Sequence, residues 1–384
     1  MRTLPTAKPS RIARPILFTL AIFAALTLLG VISRPTVHVA AQSAADSTQT
    51  PNVYRPKFNY TGDSKSDFVM IANPGPAGSA ITWKVLRNPG IPGPNNAFIR
   101  IFSYGLNGDA LNPADFNNDG ISEVSVWRSG TSYSAPFPEG TAGFSNLNVI
   151  NWGNPTGENL GRDGDYDGDG IIDLTTVRFG ADRKLTWVYR GTAGTNRQVQ
   201  FGLSAAGRSP FVLPGADWTG DGRDELIWCD VNTTNGLHTW WVGDSITGNI
   251  VFTGQFGDWN IDNFLPPDDY TGDGRADLVT VRIFADSVGN AFAGGWMIRD
   301  TATGTMLPVV KFGVPDPAFD GADFPLRGNY DGDNKADLAV WRPTNATFYW
   351  INSSNGTIGG QQWGAICTPP TACPETPEAI RFTF

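Results

Sequence analysis

A nine-residue acidic pattern occurs six times in the sequence, and its residue types suit the binding of a hard cation. Oxygen-bearing side chains stand at positions 1, 3, 5 and 9 of each copy. A backbone carbonyl at position 7 would complete a set of oxygen ligands of the kind that Ca²⁺ prefers. The starts of successive copies lie 56, 50, 52, 52 and 60 residues apart. Ordinary turns also collect Asp, Asn and Gly, but six copies at a near-constant interval indicate an internal repeat.

The predicted cation ligands are the side chains at positions 1, 3, 5 and 9 and the backbone carbonyl at position 7. In the first three loops these positions hold Asn59, Thr61, Asp63, Lys65 and Asp67; Asp115, Asn117, Asp119, Ile121 and Glu123; and Asp165, Asp167, Asp169, Ile171 and Asp173. In the last three loops they hold Asp217, Thr219, Asp221, Arg223 and Glu225; Asp269, Thr271, Asp273, Arg275 and Asp277; and Asn329, Asp331, Asp333, Lys335 and Asp337. The third loop offers four carboxylates and the first only two. We therefore expect up to six Ca²⁺ sites, with the first weak or empty.

Two further positions of the pattern shape the loop. Position 6 needs a residue that tolerates a positive φ, and it is glycine in four loops, Asn334 in the sixth and the less suitable Ser64 in the first. Position 2 is aromatic, and we expect its ring to pack beneath the loop. The aromatic residues are Tyr60, Phe116, Tyr166, Trp218, Tyr270 and Tyr330. The loops are not EF-hands, because position 12 is Met70 in the first and Thr176 in the third rather than a bidentate Glu.

The segments around each loop recur in the same order and are typical of short strands. A β-branched and aromatic segment follows the loop, and a polar turn and, in five copies, a Trp-bearing segment come next. Each copy ends on an aromatic residue and a glycine: Tyr104-Gly105, Trp152-Gly153, Phe201-Gly202, Phe256-Gly257, Phe312-Gly313 and Trp363-Gly364. Four antiparallel strands in each of six repeats predict an all-β, six-bladed β-propeller, with seven blades as the alternative. The Trp side chains are expected to lie in the core.

The loops and the aromatic-Gly endings together resemble the FG-GAP/VCBS repeat proteins, whose propellers include the heads of integrin α chains. The resemblance covers roughly residues 53–364, and the Asp-Tyr-Asp-Gly-Asp-Gly sequence of residues 165–170 matches it most fully. It implies that Ca²⁺ lies between the first two strands of each blade, held by the side chains at positions 1, 3, 5 and 9. Integrin-type heads have seven blades, whereas six copies occur here. Adhesion to a particular ligand would rest on analogy alone.

The first 41 residues are predicted to be an export signal. Basic residues precede an uncharged apolar run over residues 16–32, and small residues suited to cleavage stand before Gln42. An uncleaved membrane anchor is the alternative. A disordered linker at 42–52 and a tail at 365–384 are expected on either side of the propeller at 53–364. The protein would then be secreted, periplasmic or on the cell surface, without a membrane span after the signal segment.

The charge balance argues against nucleic acid as a partner. The chain has 28 basic and 37 acidic residues and a net charge of −9. The signal segment holds five basic residues and no acidic ones, so its removal leaves −14. Eighteen acidic residues are loop positions, and six Ca²⁺ ions would bring the mature chain to about −2.

An arginine stands five residues after the last ligand in four copies. These residues are Arg128, Arg178, Arg282 and Arg342, and Ala72 and Asp230 replace them in the other two copies. The arginines could form a basic ring that attracts an anionic ligand. Salt bridges between blades, or stems that cover apolar surface, are the favoured alternative.

The cysteines and the C-terminal tail are expected to have structural roles. Cys367 and Cys373 could form a disulfide in an oxidising compartment, and Cys229 reads as a buried free thiol. Residues 379–384 alternate like a strand that could join an outer edge or help to close the ring.

Residues suited to catalysis are scarce, so we expect that the protein is not an enzyme. His238 is the only histidine after the signal segment, and no Gly-x-Ser-x-Gly nucleophile elbow occurs. The sequence favours an exported, calcium-binding propeller that serves as a binding or adhesion module for an unidentified protein or glycan. A carbohydrate-binding lectin is the alternative, and a polysaccharide hydrolase or lyase is less favoured because no carboxylate pair outside the loops stands out.

Overall fold

The structure consists of six four-stranded antiparallel sheets. It is a computed structural model that describes residues 57–72, 75–88, 99–137, 144, 146–154, 156–160, 164–191, 196–203, 208–285, 291–314, 323–367 and 373–378. The predicted signal segment, the linker at 42–52 and the strand-like residues 379–384 lie outside this range. Six sheets, rather than the alternative of seven, confirm a six-bladed β-propeller with four antiparallel strands per blade.

Each blade is numbered by the acidic loop that it carries, and its strands are given from first to fourth. Blades 1 to 3 contain β24 (Glu375–Pro377), β1 (Phe68–Ala72), β2 (Ala80–Leu86) and β3 (Ile99–Leu106); β4 (Ala110–Leu111), β5 (Val124–Arg128), β6 (Thr131–Ala135) and β7 (Asn148–Asn151); and β8 (Glu158–Leu160), β9 (Leu174–Phe179), β10 (Lys184–Arg190) and β11 (Asn196–Leu203). Blades 4 to 6 contain β12 (Arg208–Ala216), β13 (Glu225–Asn232), β14 (Leu237–Gly243) and β15 (Ile250–Asp258); β16 (Asp262–Phe264), β17 (Leu278–Ala285), β18 (Ala291–Arg299) and β19 (Val310–Lys311); and β20 (Phe324–Leu326), β21 (Leu338–Arg342), β22 (Thr347–Ile351) and β23 (Ile358–Gln362).

Blade 1 is built from both parts of the chain. Its first strand, β24, comes from the C-terminal tail and pairs antiparallel with β1, with Met70 opposite Pro377 and Ala72 opposite Glu375. A disulfide between Cys367 and Cys373 lies just before β24, as the spacing suggested. Residues 375–377 of the tail therefore close the ring from the first position of the blade, upstream of the strand predicted at 379–384, which lies outside the described residues.

The Trp-bearing strands hold the blades together internally. The side chains of Trp83, Trp187, Trp240 and Trp296 are buried, which confirms them as core residues. In five blades a Trp indole N–H donates to the carbonyl of the aromatic residue that precedes the terminal glycine. The pairs are Trp83 with Tyr104, Trp127 with Trp152, Trp187 with Phe201, Trp240 with Phe256 and Trp296 with Phe312, at 2.8 to 3.2 Å. In blade 2 this Trp stands on the second strand, because its third strand carries Tyr133 instead.

The glycine of each aromatic-Gly ending lies where one blade meets the next. All six of these glycines have a positive φ, between 78° and 102°. A Cβ on Gly105 would lie 2.7 Å from Cγ1 of Val126 in blade 2, and one on Gly364 would lie 2.7 Å from Cε of Met70 in blade 1. Both the backbone conformation and the neighbouring blade therefore require glycine at this position.

The four recurrent arginines are paired and do not form a free basic ring. Arg128 contacts Asp109 at 2.6 Å, Arg282 contacts Asp262 at 2.6 Å, and Arg342 contacts Asp323 at 2.8 Å. Arg178 pairs with Glu158 in the same way. Asp262 and Glu158 stand opposite their arginines at the start of the first strand of the same blade, and Asp109 and Asp323 immediately precede the first strands of theirs.

These acids also connect neighbouring blades. Each accepts a hydrogen bond from the backbone N–H that follows the aromatic-Gly ending of the preceding blade. The donors and acceptors are Leu106 to Asp109, Asn154 to Glu158, Asp258 to Asp262 and Val314 to Asp323, at 2.8 to 2.9 Å. The arginine therefore fixes an acid that bridges two blades. The predicted salt bridges are present, but the prediction that they join blades was wrong, because each ion pair lies within one blade.

Blades 1 and 4 depart from this arrangement where the sequence lacks the arginine. In blade 1, Glu375 occupies the acidic position opposite Ala72, and Lys84 from β2 supplies the cation. In blade 4, Asp230 faces Pro210 and accepts a hydrogen bond from the indole N–H of Trp241 at 3.3 Å.

His238 lies in the core of blade 4. Its ring stacks on Phe264 with centroids 3.7 Å apart, and its Nδ1 lies 3.3 Å from the thiol of Cys229, which forms no disulfide. Burial lowers the pKa of His238 to about 4, although Asp262 and Asp258 oppose that shift. The histidine is therefore neutral in the folded protein at neutral pH.

Among the residues that the structure describes, no helix is both long enough and apolar enough to cross a membrane.

Substituting Gly105→Ala should destabilise the propeller more than Gly356→Ala. Both glycines have φ near +75°, but a Cβ on Gly356 meets nothing within 4 Å, whereas one on Gly105 meets Val126. We expect a loss of about 1 kcal/mol for Gly356→Ala and about 2–4 kcal/mol for Gly105→Ala, measured by urea denaturation. Equal losses would show that the neighbouring blade does not constrain this position.

Acidification should destabilise the protein through His238. Because the folded pKa lies below the unfolded value near 6.5, stability is full above pH 6.5 and is lost as the pH falls toward 4. The contribution amounts to about 3 kcal/mol. In His238→Phe, which keeps an aromatic ring against Phe264, the unfolding free energy should fall less between pH 6.5 and 4 than in the wild type. Parallel pH profiles for the two proteins would contradict this.

Candidate metal-binding loops

Each acidic loop precedes the second strand of its blade, and in blades 2 to 6 it connects that strand to the first; the loop is closed by its own backbone. The N–H of position 9 donates to the carbonyl of the residue before position 1. In loop 1 Asp67 donates to Phe58 at 2.9 Å, and in loop 3 Asp173 donates to Gly164 at 2.9 Å. The nine residues thus form a compact turn at the end of the first hairpin.

The side chain at position 1 organises the turn from inside. In loop 3 the two carboxylate oxygens of Asp165 accept from the N–H groups of Gly168 and Gly170, at 2.8 and 2.9 Å. Position 6 has a positive φ in all six loops, including +65° at Ser64 and +68° at Asn334. This prediction is confirmed even for the serine.

Position 4 also has a positive φ in every loop, which the sequence analysis missed. The residues are Gly62, Asn118, Gly168, Gly220, Gly272 and Gly332, with φ between 60° and 83°. The residue types could have indicated this conformation, since five of the six are glycine. The sixth is asparagine, the residue next most tolerant of a positive φ.

The carboxylate at position 9 is buried in every loop. In all six loops it accepts the N–H of the aromatic residue at position 2, at 2.6 to 3.0 Å. The aromatic rings at position 2 lie beneath the loops as expected, buried in five and half-buried at Phe116. The buried position-9 residues are Asp67, Glu123, Asp173, Glu225, Asp277 and Asp337.

Burial makes the ionised form of these carboxylates costly. Removal from water raises the pKa of Asp67, Glu123 and Asp277 to about 7 and that of Asp173 to about 8. Neighbouring loop carboxylates are a smaller cause of the same rise in each pKa. A cation among the carboxylates would offset both effects.

Among the residues that the structure describes, two loops bring three carboxylates into a group that could hold a metal ion. In loop 3 these are Asp165, Asp167 and Asp173, and in loop 6 they are Asp331, Asp333 and Asp337. One oxygen from each residue lies within 4.8 Å of the others in its group. Asp169, the fourth predicted carboxylate of loop 3, is not part of its group.

The residue at position 3 distinguishes these two loops from the others. It is aspartate only in loops 3 and 6, and it is Thr61, Asn117, Thr219 or Thr271 elsewhere. In loops 1, 2 and 4 this side chain donates to the position-9 carboxylate, at 2.7 to 3.2 Å. In these loops a neutral side chain that donates a hydrogen bond therefore stands where loops 3 and 6 have a further carboxylate.

Loop 3 contains a buried oxygen that lacks a hydrogen bond. Oδ2 of Asp173 accepts from the N–H of Tyr166, but Oδ1 makes no hydrogen bond to any described residue. Asp173 is 1% exposed, so water does not reach it freely. An unpartnered carboxylate oxygen beside two further carboxylates is an arrangement that suits a cation.

In loops 1 and 4 an arginine side chain forms an ion pair with the carboxylate at position 5. Nε of Arg87 lies 3.1 Å from Asp63, and Nη2 of Arg223 lies 2.5 Å from Asp221. That loop 1 is the weakest site stays a prediction, since loop 4 holds the same kind of contact.

The six loops are joined into a closed ring of backbone hydrogen bonds, which the sequence did not reveal. In each loop the N–H of position 8 donates to the carbonyl of position 1 in the preceding loop. The donors and acceptors are Ser66 to Asn329, Ser122 to Asn59, Ile172 to Asp115, Asp224 to Asp165, Ala276 to Asp217 and Ala336 to Asp269, at 2.6 to 3.4 Å. The bond from Ser66 to Asn329 joins loop 1 to loop 6 and completes the circle.

Side chains cover the same junctions. The residue at position 7 of one loop lies over the glycine at position 4 of the preceding loop: a Cβ on Gly168 would lie 2.5 Å from Cγ of Arg223, and one on Gly332 would lie 3.2 Å from Lys65. The glycine at position 4 therefore provides the room for the next loop as well as the turn.

No family model matches the sequence, and no curated protein matches it. The chain is similar to a candidate 6-phosphogluconolactonase from Bacteroides uniformis ATCC 8492, with 13% identity, a TM-score of 0.38 and coverage of 78% of this chain and 83% of that chain. It is also similar to the WD40 domain of coronin from Toxoplasma gondii, with 13% identity, a TM-score of 0.37 and coverage of 82% and 73%. At these TM-scores neither likeness bears on function.

Amide hydrogen exchange should identify the loop ring. We expect the position-8 amides, such as Ser66 and Ala336, to exchange at least about a hundredfold more slowly than the turn amides of Gly304 and Gly356. NMR in the presence of EGTA measures the ring itself, without any contribution from bound cations. Rapid exchange at Ser66 would show that loops 1 and 6 are not joined in solution.

Proposed function

We propose that the protein is an exported calcium-binding propeller that serves as a binding or adhesion module, in the manner of the FG-GAP/VCBS proteins that its loops resemble. The observation that carries this proposal is the group of Asp165, Asp167 and Asp173, in which one buried carboxylate oxygen has no hydrogen bond to the described residues. The apolar run and cleavage motif before Gln42 support export.

The donors of loops 3 and 6 suit Ca²⁺ rather than a transition metal. Loop 3 would use its four aspartates and the carbonyl of Ile171, and loop 6 would use Asn329, its three aspartates and the carbonyl of Lys335. All of these ligands are oxygens, without the imidazole or thiolate that zinc and copper favour. A flexible loop with many oxygen donors favours Ca²⁺ over Mg²⁺, which requires near-ideal octahedral geometry.

The ion would stabilise the fold rather than carry out chemistry. It would offset the repulsion among the loop carboxylates, which burial strengthens. Because position 8 of each loop is bonded to position 1 of the loop before it, a rigid loop 3 or 6 would also hold its neighbours. Loop 6 is next to the junction with loop 1, where the two ends of the propeller meet.

Adding Ca²⁺ should raise the melting temperature of the wild-type protein by several degrees over that in EGTA. A site at one hundred times its Kd contributes about 2.7 kcal/mol. Isothermal titration should show at least two sites, and Asp167→Asn should remove or weaken one of them because it removes a carboxylate from the group in loop 3.

Asp182→Asn is the matched control, because Asp182 is exposed on a turn outside the loops. It should keep the calcium response of the wild type. A wild-type protein that binds no Ca²⁺, with the same melting temperature in Ca²⁺ and in EGTA, would exclude the proposed function.

A further inference from the structure

The face of blade 2 that packs on blade 3 is identified by Trp127. A Cβ on Gly153, at the end of blade 2, would lie 2.8 Å from Thr176 of blade 3 and 3.6 Å from the ring of Trp127. Side chains two residues apart on a strand, and those directly opposite on the neighbouring strand, share one face of a sheet. The residues that share this face with Trp127 are Ser125 on β5 and Ser132 and Ser134 on β6. Blade 2 therefore presents three serines to blade 3.

The pair of Ser125 and Ser134 has no counterpart of the same kind in the other blades. Ser125 is the second residue after position 9 of its loop, and Ser134 stands opposite it on the third strand. In each of the other five blades this pair contains at least one valine, isoleucine or aromatic residue. The pairs are Val69 with Val85, Thr175 with Tyr189, Ile227 with Val242, Val279 with Ile298, and Ala339 with Trp350.

Apolar packing between blades differs in the same way. One buried apolar cluster extends over blades 6, 1 and 2, and three others join blades 3 to 4, 4 to 5 and 5 to 6. At the junction of blades 1 and 2, for example, Tyr60 packs on Phe137 with ring centroids 5.4 Å apart. Within the described part of the chain, no such cluster joins blade 2 to blade 3. Burial of apolar surface is the main force that holds packed elements together, so this junction is the least stabilised by it.

Polar atoms are buried beside this junction without hydrogen bonds to any residue that the structure describes. Ser125 is 0% exposed and Ser132 is 1% exposed, and Oγ of each makes no hydrogen bond. The backbone N–H of Asn112 donates to the carbonyl of Ser125 at 2.9 Å, but its side-chain Nδ2 is also without a partner. Buried polar groups of this kind favour any state in which water reaches them.

The ring of loop hydrogen bonds is also longest at this junction. The N–H of Ile172 in loop 3 donates to the carbonyl of Asp115 in loop 2 at 3.4 Å, whereas the other five ring bonds are 2.6 or 2.7 Å long. A longer hydrogen bond is a weaker one. Apolar packing, polar satisfaction and the ring bond therefore all single out the same junction.

We propose that the propeller opens transiently between blades 2 and 3, and that a cation in loop 3 holds this junction closed. Opening would break the bond from Ile172 to Asp115, expose little apolar surface and let water reach Ser125. The other five junctions would stay closed because apolar clusters cross them. The role of the cation rests on the proposed calcium function: a rigid loop 3 would keep Ile172 against Asp115.

The experiment measures how fast iodoacetamide labels a cysteine placed at the junction, in EGTA. Ser125→Cys is the probe, and Ala339→Cys is its matched control, because Ala339 holds the same position in blade 6, is 1% exposed and lies in the cluster that joins blades 6 and 1. The native Cys229, in the cluster that joins blades 4 and 5, is a second reference. Relative to its own rate in the urea-unfolded protein, the cysteine of Ser125→Cys should be labelled at least about tenfold faster than the other two.

The dependence of labelling on urea distinguishes local opening from global unfolding. Labelling of Ser125→Cys should depend weakly on urea, because little surface becomes exposed, whereas global unfolding depends on urea steeply. The proposal is wrong if Ser125→Cys is labelled no faster than Ala339→Cys and Cys229, or if its labelling has the urea dependence of global unfolding.

A variant that restores apolar packing tests the cause of the opening. Ser125→Val together with Ser134→Val recreates the pair that Val69 and Val85 form in blade 1, and Ser132→Cys then serves as the probe. The two valines should slow labelling of Ser132→Cys several-fold, and circular dichroism would show that the protein is folded. Unchanged or faster labelling in the folded variant would show that the serines do not cause the opening.

Addition of Ca²⁺ tests the role of loop 3 separately. Ca²⁺ should slow the labelling of Ser125→Cys, and Asp167→Asn in the same protein should abolish that effect. Fast labelling without any response of the melting temperature to Ca²⁺ would retain the opening and exclude the calcium function. A higher melting temperature in Ca²⁺ with unchanged labelling would retain the calcium function and exclude loop 3 as the element that closes the junction.

Discussion

The hydrogen bond from position 8 of one acidic loop to position 1 of the preceding loop is the interaction on which the ring depends. It occurs at all six junctions, including the one between Ser66 and Asn329, where the two ends of the propeller meet. The sheets themselves do not fix the position of one blade against the next, because their strands hydrogen-bond only within a blade. A bond of fixed geometry at every junction sets the spacing of the blades, and any feature that stiffens one loop acts on the next.

A second set of contacts joins neighbouring blades through residues at the ends of their strands. In blades 2, 3, 5 and 6 the acid at the first strand accepts an N–H from the preceding blade and is held by an arginine, and in blade 1 Lys84 pairs with Glu375. The aromatic-Gly ending provides that N–H and brings its glycine against the next blade. One short sequence feature, an aromatic residue followed by glycine, thus lies at both contacts in four junctions, which explains why it recurs although the rest of each fourth strand varies.

Much of this could be predicted from the sequence because it repeats. The six loops, the Trp-bearing strands and the positive φ at position 6 follow from local spacing and residue type. The loop ring and the partners of Arg128 and its counterparts could not be predicted, because they depend on how one blade faces the next. The strand that closes the ring could not be predicted either. Glu375–Pro377 is only three residues long, and it pairs with β1 at the other end of the propeller sequence.

Charge separates five of the six loops into two kinds, with loop 5 outside both. In loops 1, 2 and 4 a threonine or asparagine at position 3 donates to the buried carboxylate at position 9, so that charge is partly compensated by the protein itself. In loops 3 and 6 an aspartate takes that position and adds a third negative group. A propeller with carboxylate groups in all six loops would suffer repulsion at every junction whenever cations were scarce. With two such loops, the remaining junctions can hold the ring together, and a cation bound at either group would act on a ring that is already closed.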